Sequence, residues 1–180
     1  MIVELKKEAY DAYPLLYRYI TNEYYDITME NHFGWKQTLT RRKFDAPVEK
    51  TFEGKLFEPY FDHPSAYGFF IENMLVGVIG LDHETWNNRI RISDLLVLDE
   101  HRGKGIGHQL MERAKTYAKE RKARAIVLET QSCNTPAIDF YIREGFTLVG
   151  FDSMCYSNED VAKKEIRLEF GYAIKEEENR

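Results

Sequence analysis

The sequence predicts one α/β domain over residues 1–180, with a mixed, mostly antiparallel central sheet and helices on both faces. The main observation is the order of elements from Ala66 onward, which reads as hairpin, strand, helix, strand, helix and two closing strands. A strand–helix–strand unit brings parallel strands into an otherwise antiparallel sheet. The chain also shows no internal repeat, low-complexity linker or second domain, and its recognisable motifs lie in residues 66–156.

Composition and charge narrow the class of protein. A net charge of −5 argues against nucleic-acid binding and is compatible with a small cationic substrate. No apolar run reaches membrane-spanning length and the start lacks a signal peptide, so we expect no membrane partner and a cytoplasmic location. Cys133 and Cys155 lack metal-ligand spacing and no H-E-x-x-H occurs, so no metal is expected. The sequence leaves a homodimer open.

The N-terminal third carries weaker patterns. Ile2–Leu5 predicts a short strand, Phe33–Thr40 a second, and Val48–Tyr60 a loose helix interrupted by Gly54. Arg41–Lys43 is interpreted as a solvated charge run, with contact to a phosphorylated cofactor as the alternative. A first helix is predicted from apolar and aromatic residues at helical spacing, namely Tyr13, Leu16, Tyr17, Ile20 and Tyr24.

The middle of the chain predicts a hairpin followed by a buried strand. Tyr67–Ile71 and Leu75–Leu81 flank the polar turn Glu72-Asn73, which is typical of a β-hairpin. Arg89–Leu98 predicts the next strand. Its continuous apolar run, Leu95–Leu98, is typical of a strand buried on both faces.

A glycine-rich loop follows that strand and opens a helix. The segment Arg102–Gly107 has glycines at alternate positions, and an amphipathic pattern follows it. Unpaired N–H groups at a helix start, together with Arg102 and Lys104, favour an anion such as phosphate. The spacing fits neither a P-loop nor the dinucleotide fingerprint. The apolar face of the helix is predicted to consist of Ile106, Leu110, Met111, Ala114, Tyr117 and Ala118.

The C-terminal half continues the alternation. Ala125–Leu128 predicts a buried strand, and Asn134 or Thr135 can cap a helix that Gly145 closes. Phe146–Phe151 and Glu165–Tyr172 predict the two closing strands.

Three segments in this order resemble the GNAT acetyltransferases: Ser93–Gly107, Leu128–Gln131 and Asn134–Phe146. The resemblance implies acetyl-CoA as co-substrate and central strands that splay apart to admit its pantetheine arm. It implies that the backbone of Leu96, Val97 and Leu98 holds pantetheine and that Asn134 bonds the same arm, with Ala137 and Tyr141 beside the cofactor. The residues implied for pyrophosphate are Arg102, Gly103, Lys104, Gly105, Ile106 and Gly107.

A narrower resemblance is to the streptothricin acetyltransferases, which acetylate an amine on the β-lysine of a cationic antibiotic. The matching stretches are Thr85–Asn87, His101–Gly105, Leu128–Gln131, Pro136-Ala137 and Gly145–Leu148. The match is weak over residues 27–62, part of which should form the acceptor pocket. The substrate implied is a small cationic amine.

Acetyl transfer to an amine requires a base, oxyanion donors and an acid for the departing thiolate. The motif position implies that Tyr141 is the acid, and a backbone N–H near Val97 is expected to hold the oxyanion. Ser93 stands where many GNAT enzymes carry a glutamate, so Glu129 and Asp94 remain as candidate bases, with Glu129 ranked slightly first. A cysteine nucleophile at Cys133 is not expected, because no activating histidine pair is evident.

Weaker candidates for an ammonium anchor are Asp82, Glu84 and Asp152. Two other functions stay open at this point. One is a GNAT enzyme that acts on a polyamine, a peptide N-terminus or a protein lysine. The other is a non-catalytic acyl-CoA-binding sensor, against which the tyrosine at position 141 argues.

Overall fold

The computed structural model describes residues 1–175 and has a mixed α/β architecture. No helix in this described part is both long and apolar enough to cross a bilayer. The helices are α1 (Lys7–Tyr10), α2 (Ile106–Glu120), α3 (Thr135–Arg143) and α4 (Asp160–Lys163). The strands are β1 (Ile2–Leu5), β2 (Pro14–Asn31), β3 (Trp35–Lys55), β4 (Pro64–Ile71), β5 (Met74–Glu84), β6 (Arg89–Val97), β7 (Ala125–Gln131), β8 (Thr147–Asp152) and β9 (Arg167–Ala173).

Seven strands form one sheet in the order β1-β4-β5-β6-β7-β9-β8, while β2 and β3 form a separate two-stranded sheet. Strands β1, β4, β5 and β6 pair antiparallel, and β6 pairs with β7 in parallel. The predicted mixed, mostly antiparallel sheet is therefore confirmed. Every strand predicted from Ala66 onward is present, with bounds shifted by a few residues.

Contacts divide the chain into two compact units. The first comprises Met1–Tyr17, Phe52–Leu128 and the chain from Gly171 onward, and the second comprises Arg18–Thr51 and Glu129–Phe170. The single domain expected over residues 1–180 stays a prediction.

In the first unit, α2 packs on β4, β5 and β6. Its buried residues are the six of the predicted apolar face, so that prediction is confirmed. A second apolar cluster in this unit consists of Leu5, Leu15, Leu56, Phe57, Ala66 and Val78.

The hairpin of β4 and β5 has the turn that its sequence predicts. Glu72 and Asn73 have φ values of 47° and 69°, which places both in the left-handed region. Two such residues are typical of a type I′ turn, whose twist matches that of the flanking strands.

A β-bulge lies where β5 meets β6. Leu81 pairs with Ile92 and Gly80 pairs with Asp94, so Ser93 is an extra residue in β6. The bulge places Ser93 and Asp94 beside Gly80. A Cβ atom at Gly80 would lie 2.6 Å from Ser93 Oγ and 2.7 Å from Asp94 Oδ2, so this position needs glycine.

The strand predicted over Ile2–Leu5 is confirmed as β1, and most of the strand predicted over Phe33–Thr40 lies in β3, but the long strands β2 and β3 contradict the two helices predicted in the N-terminal third. The helix predicted through Tyr13–Tyr24 and the loose helix over Val48–Tyr60 are both wrong, because β2 and β3 cover most of these residues. The physical reason lies in the burial pattern of β2. Leu15 and Tyr19 are buried, whereas Leu16 and Ile20 of the predicted helical stripe are exposed. The true period is two residues, as in a strand with one covered face.

In the second unit, the ribbon formed by β2 and β3 contacts α3 and the chain before it. Tyr25 N–H donates to Ser132 C=O at 2.9 Å, and the hydroxyls of Thr21 and Thr135 lie 3.0 Å apart. Arg41 binds Asp139 of α3 through two nitrogens. Arg41, Arg42 and Lys43 are all exposed, as the interpretation of a solvated charge run predicts, and Arg41 forms an ion pair within that run.

We predict that Leu15→Ala and Leu16→Ala differ sharply in their effect on stability. Leu15 is 2% exposed and Leu16 is 60% exposed. Truncating a buried leucine costs about 2–5 kcal/mol, whereas a surface truncation stays within about 0.5 kcal/mol. Urea unfolding of the two variants measures the difference. A larger loss for Leu16→Ala would support the helical pattern and contradict the strand.

Candidate functional site

In the first unit, β6 and β7 stay paired over a short stretch. The register runs from Arg89 with Ala125 to Arg91 with Val127, while β6 itself continues to Val97 and stays paired with β5. Beyond Arg91, the edge of β6 that points away from β5 has peptide groups without a ladder partner on β7. Such groups need another hydrogen-bond partner, and an extended chain rich in amides can supply one.

The parting of these strands also explains why Leu95–Leu98 departs from its prediction. Leu95, Leu96 and Val97 are only half-buried, and Leu98 is exposed. The expectation of burial on both faces is therefore wrong. An apolar strand that loses its neighbour on one side leaves part of its side-chain surface uncovered.

The glycine loop follows β6 after a 3-10 turn over Asp99–His101. Gly103 and Gly105 have φ values of 73° and 78°, which glycine adopts without strain. A Cβ atom at either position would meet nothing within 4 Å, so the loop backbone is openly accessible. The first backbone bond of α2 runs from Gln109 N–H to Gly105 C=O, and the amides of Ile106 and Gly107 precede that ladder. This arrangement fits a pyrophosphate group.

Two cations lie in this loop. Arg102 donates from Nε to Val97 C=O at 3.0 Å and pairs with Asp99 at 2.9 Å, so its side chain folds back toward the end of β6. Lys104 is exposed. Both can add positive charge beside the start of α2, where the helix dipole has the same sign.

Asp94 has a largely desolvated carboxylate. Tyr17 donates a hydrogen bond to its Oδ1 atom at 2.6 Å, and Ser93 supplies another hydrogen bond. Burial raises the pKa of Asp94 above its ordinary value, although the bonds from Tyr17 and Ser93 lower it in part. A carboxylate in such surroundings has an increased affinity for a proton.

In the second unit, Asn134 caps α3. Its Oδ1 atom accepts the N–H of Ala137 at 3.4 Å, and Pro136 occupies the first turn. The predicted start of this helix is confirmed, and Gly145 with a φ of 91° ends it as expected. Because the oxygen serves as the cap, the amide nitrogen is the group that Asn134 can offer to a ligand.

Tyr141 lies on the buried face of α3. Its ring packs among those of Phe140, Phe146 and Phe170, with centroid distances of 5.7, 6.2 and 6.2 Å. Burial raises the pKa of Tyr141 to about 12, so its hydroxyl keeps its proton at neutral pH. Among the described residues 1–175, no hydrogen-bond partner of this hydroxyl is found. The group can therefore donate to a ligand.

Glu129 is held by a cation. Arg167 Nε lies 2.8 Å from a Glu129 carboxylate oxygen, which makes an ion pair without the alignment of a hydrogen bond. Arg167 also contacts Glu169 and the sulfur of Cys155. Of the two candidate bases, Glu129 thus has a cationic partner, whereas the carboxylate of Asp94 is hydrogen-bonded to Tyr17 and Ser93.

The three weaker acidic candidates have structural partners. Asp82 accepts the backbone N–H of His63 at 2.7 Å, and Asp152 accepts that of Met154 at 2.9 Å. Arg89 and Arg91 both bind Glu84. Burial alone would raise the pKa of Glu84, but these two arginines hold it below its ordinary value.

Cys133 is unsuited to nucleophilic chemistry. Its side chain is fully buried, and Tyr19 lies 3.3 Å from its sulfur. Burial raises the pKa of the Cys133 thiol, so the reactive thiolate is scarce at neutral pH.

Comparison with known proteins identifies the family. The model of the acetyltransferase (GNAT) family matches residues 21–146. The chain belongs to the GNAT acetyltransferase family. It is thus an acetyl-CoA-dependent acetyltransferase, and the unpaired part of β6, the glycine loop and α2 are the features in the first unit that suit this donor.

Named relatives are similar over most of the chain. A streptothricin acetyltransferase from Escherichia coli is 38% identical over 79% of this chain and 86% of its own length. Streptothricin acetyltransferase A from Bacillus subtilis (strain 168) is 32% identical over 67% of this chain and 71% of its own length.

Two solved structures share the fold over almost the whole chain. A nourseothricin acetyltransferase matches with a TM-score of 0.78 and 27% identity, covering 97% of this chain and 98% of its own. A Bacillus anthracis protein described as a streptothricin acetyltransferase, solved in complex with acetyl coenzyme A, matches with the same values.

Tyr17 is a neighbour of the candidate site that the sequence did not reveal. The helical spacing places it in an apolar stripe, whereas the alternation of Leu15, Tyr17 and Tyr19 favours a strand. Its bond to Asp94 joins residues 77 positions apart, and no local pattern encodes such a contact.

We predict that Cys133→Ala keeps a kcat near that of the wild type. The buried thiol with a raised pKa does not serve as a nucleophile, and the substitution removes only one heavy atom from the core. Steady-state kinetics measure kcat, and a thermal melt of the same variant reports the cost in stability. A loss of turnover in a folded variant would contradict direct transfer between two bound substrates.

Proposed function

We propose that this enzyme acetylates a primary amine of a streptothricin-type cationic antibiotic, with the β-lysine moiety as the acceptor. The similarity to streptothricin acetyltransferases over most of the chain supports the substrate class. The observation that carries the reaction is the unpaired stretch of β6, which runs directly into a glycine loop and a helix start. A net charge of −5 favours a cationic acceptor.

The residues that bind acetyl-CoA in this proposal lie on β6, on the glycine loop and at the start of α3. The backbone of Leu96, Val97 and Leu98 holds the pantetheine arm, and the N–H groups of the loop bind the pyrophosphate. Arg102 exchanges its bonds to Val97 and Asp99 for a phosphate oxygen. Asn134 donates its amide to the pantetheine arm, and Ala137 lies in the same turn of α3. The loop residues in this role are Arg102, Gly103, Lys104, Gly105, Ile106 and Gly107.

The acceptor must lose a proton before it can attack, because an alkyl ammonium has a pKa of about 10.4. We assign this step to Asp94, directly or through a water molecule. Its raised pKa makes it a better proton acceptor than an ordinary aspartate, whereas Glu129 is engaged with Arg167. Glu129 then serves to attract the ammonium group.

The final proton goes to the departing sulfur. Tyr141 supplies it, because its hydroxyl is protonated at neutral pH and has no partner among the described residues. Transfer forms an amide C–N bond and breaks the thioester C–S bond, and the second proton that the nitrogen loses returns through solvent to the Tyr141 oxygen. A backbone N–H near Val97 stabilises the oxyanion between these two events.

Parallel assays with acetyl-CoA test the acceptor. We expect streptothricin to be turned over with a higher kcat/KM than spermidine or a lysine-containing peptide, as measured by the release of free thiol. A preference for spermidine or the peptide would overturn the substrate class. Turnover with none of the three, with acetyl-CoA still bound in calorimetry, would also overturn it.

We predict that Gly105→Asp weakens acetyl-CoA binding by more than about tenfold, since repulsion from the pyrophosphate should exceed about 1.4 kcal/mol. Gly105→Asn is the matched control, because asparagine has the same shape without the charge and tolerates a left-handed backbone. Calorimetry with acetyl-CoA measures both affinities. Equal affinities of the two variants would remove the loop from the pyrophosphate site.

We predict that Tyr141→Phe slows the chemical step by about 10²–10⁴-fold, the usual contribution of a general acid. The aromatic packing of the ring is retained, and the hydroxyl has no hydrogen-bond partner within residues 1–175 to lose, so the melting temperature should hardly change. Pre-steady-state rates at saturating substrates separate chemistry from product release. A chemical step near the wild-type rate would assign the proton to another group or to solvent.

Three further expectations stay predictions. Activity should survive treatment with a chelator, because no metal is part of the proposed reaction. A cytoplasmic location is the second, and the third is the homodimer that the sequence leaves open, for which size-exclusion chromatography with light scattering measures the oligomeric state.

A further inference from the structure

Tyr17 and Asp94 form a close pair within the first unit. The tyrosine hydroxyl donates to Asp94 Oδ1 at 2.6 Å, which is a short bond to a carboxylate. The tyrosine ring is fixed by stacking on Phe52, with centroids 4.6 Å apart and an interplanar angle of 9°. Gly54 lies against the same ring, since a Cβ atom there would come within 3.0 Å of Tyr17 Cε2. The hydroxyl is therefore held in one place.

In the described part of the chain, two polar groups other than Tyr17 act on the Asp94 carboxylate. Ser93 on β6 donates a hydrogen bond, and Glu58 is the charged group that acts on Asp94 from the segment after β3. The facing positions on β3 and β5 are Gly54 and Gly80, which have no side chain. Tyr17 is thus the group from outside β6 that orients this carboxylate.

We propose that Tyr17 is a positioning residue for acetyl transfer, which holds one oxygen of Asp94 so that the other oxygen takes the proton of the acceptor ammonium. This inference rests on the proposed role of Asp94 as the base. In the step, an N–H bond of the ammonium breaks and an O–H bond forms on Asp94, directly or through water. The nitrogen lone pair that this releases then attacks the thioester carbon, while Tyr17 keeps its own proton.

Tyr17 also affects the charge state of the base. A hydrogen bond to a carboxylate favours its ionised form, so the bond from Tyr17 lowers the pKa of Asp94 against the effect of burial. Without the hydroxyl, Asp94 would hold its proton to a higher pH. The base would then be active over a narrower pH range.

The test is the pH profile of kcat/KM for Tyr17→Phe. The stacking on Phe52 is retained, and only the donor is lost. We expect the acidic limb of the profile to move upward by about one pH unit, since a hydrogen bond to a charged group is commonly equivalent to about one to two pKa units. The affinity for acetyl-CoA should stay at its wild-type value.

Tyr19→Phe is the matched control. Tyr19 lies two residues further along β2, and its hydroxyl donates to Gln131 at 2.6 Å. The control loses a tyrosine bond of equal length that does not involve Asp94. We expect its melting temperature to fall and its acidic limb to stay in place. An equal shift in both variants would overturn the proposal, because it would reflect a general structural effect.

Two further variants keep the outcomes distinct. If Asp94→Asn abolishes activity while Tyr17→Phe leaves the profile unmoved, the positioning role is wrong and the base assignment stands. If Asp94→Asn keeps full activity, the base assignment itself is wrong.

Should Tyr17→Phe not fold, Gly54→Ala displaces the Tyr17 ring without removing the hydroxyl. In Gly54→Ala we expect the acidic limb of the kcat/KM profile to move upward by less than in Tyr17→Phe. An unmoved acidic limb would contradict the proposal.

Discussion

The structure depends on one interruption of a hydrogen-bond ladder, where β6 and β7 part after Arg91 and Val127. Buried peptide N–H and C=O groups need hydrogen-bond partners. A strand that separates from its neighbour within a sheet therefore costs free energy unless another group pairs with its backbone. Here the strand stays anchored on its other side by β5, and α2 packs across both. The helix start is thereby fixed at the end of the unpaired stretch, which is the arrangement that an extended phosphate-bearing thioester requires.

The second unit contributes a different kind of constraint. Aromatic packing fixes the Tyr141 ring, and the residues described leave its hydroxyl without a protein partner. A hydroxyl without a protein partner adds no hydrogen bond to the stability of the unit, and it gains one when a ligand arrives. Asn134 likewise combines a structural bond with a group that can bind a ligand. Its side-chain oxygen caps α3, and its side-chain nitrogen can donate to other partners.

The sequence predicted the elements whose patterns are local. The turn at Glu72-Asn73, the buried face of α2 and the cap at Asn134 each depend on residues within a few positions, and all three are confirmed. Residues of β2 were predicted to be helical, because Tyr17 fits both the helical stripe with Ile20 and Tyr24 and the alternation with Leu15 and Tyr19. The partners of the two candidate bases could not be predicted from local patterns. Tyr17 and Arg167 lie far along the chain from Asp94 and Glu129.

The bulge at Ser93 has a consequence for attempts to engineer this enzyme. Glycine in the middle of a strand is usually a target for stabilising replacement, since a β-branched residue loses less entropy on folding and packs better. Gly80 is an exception, because the space that its Cβ would occupy is taken by Ser93 Oγ and Asp94 Oδ2. A thermostability library that replaces glycines by residues of high strand propensity would therefore displace Asp94, the proposed base, at this position. Gly80 should be held constant in such a library while exposed positions of the sheet are varied.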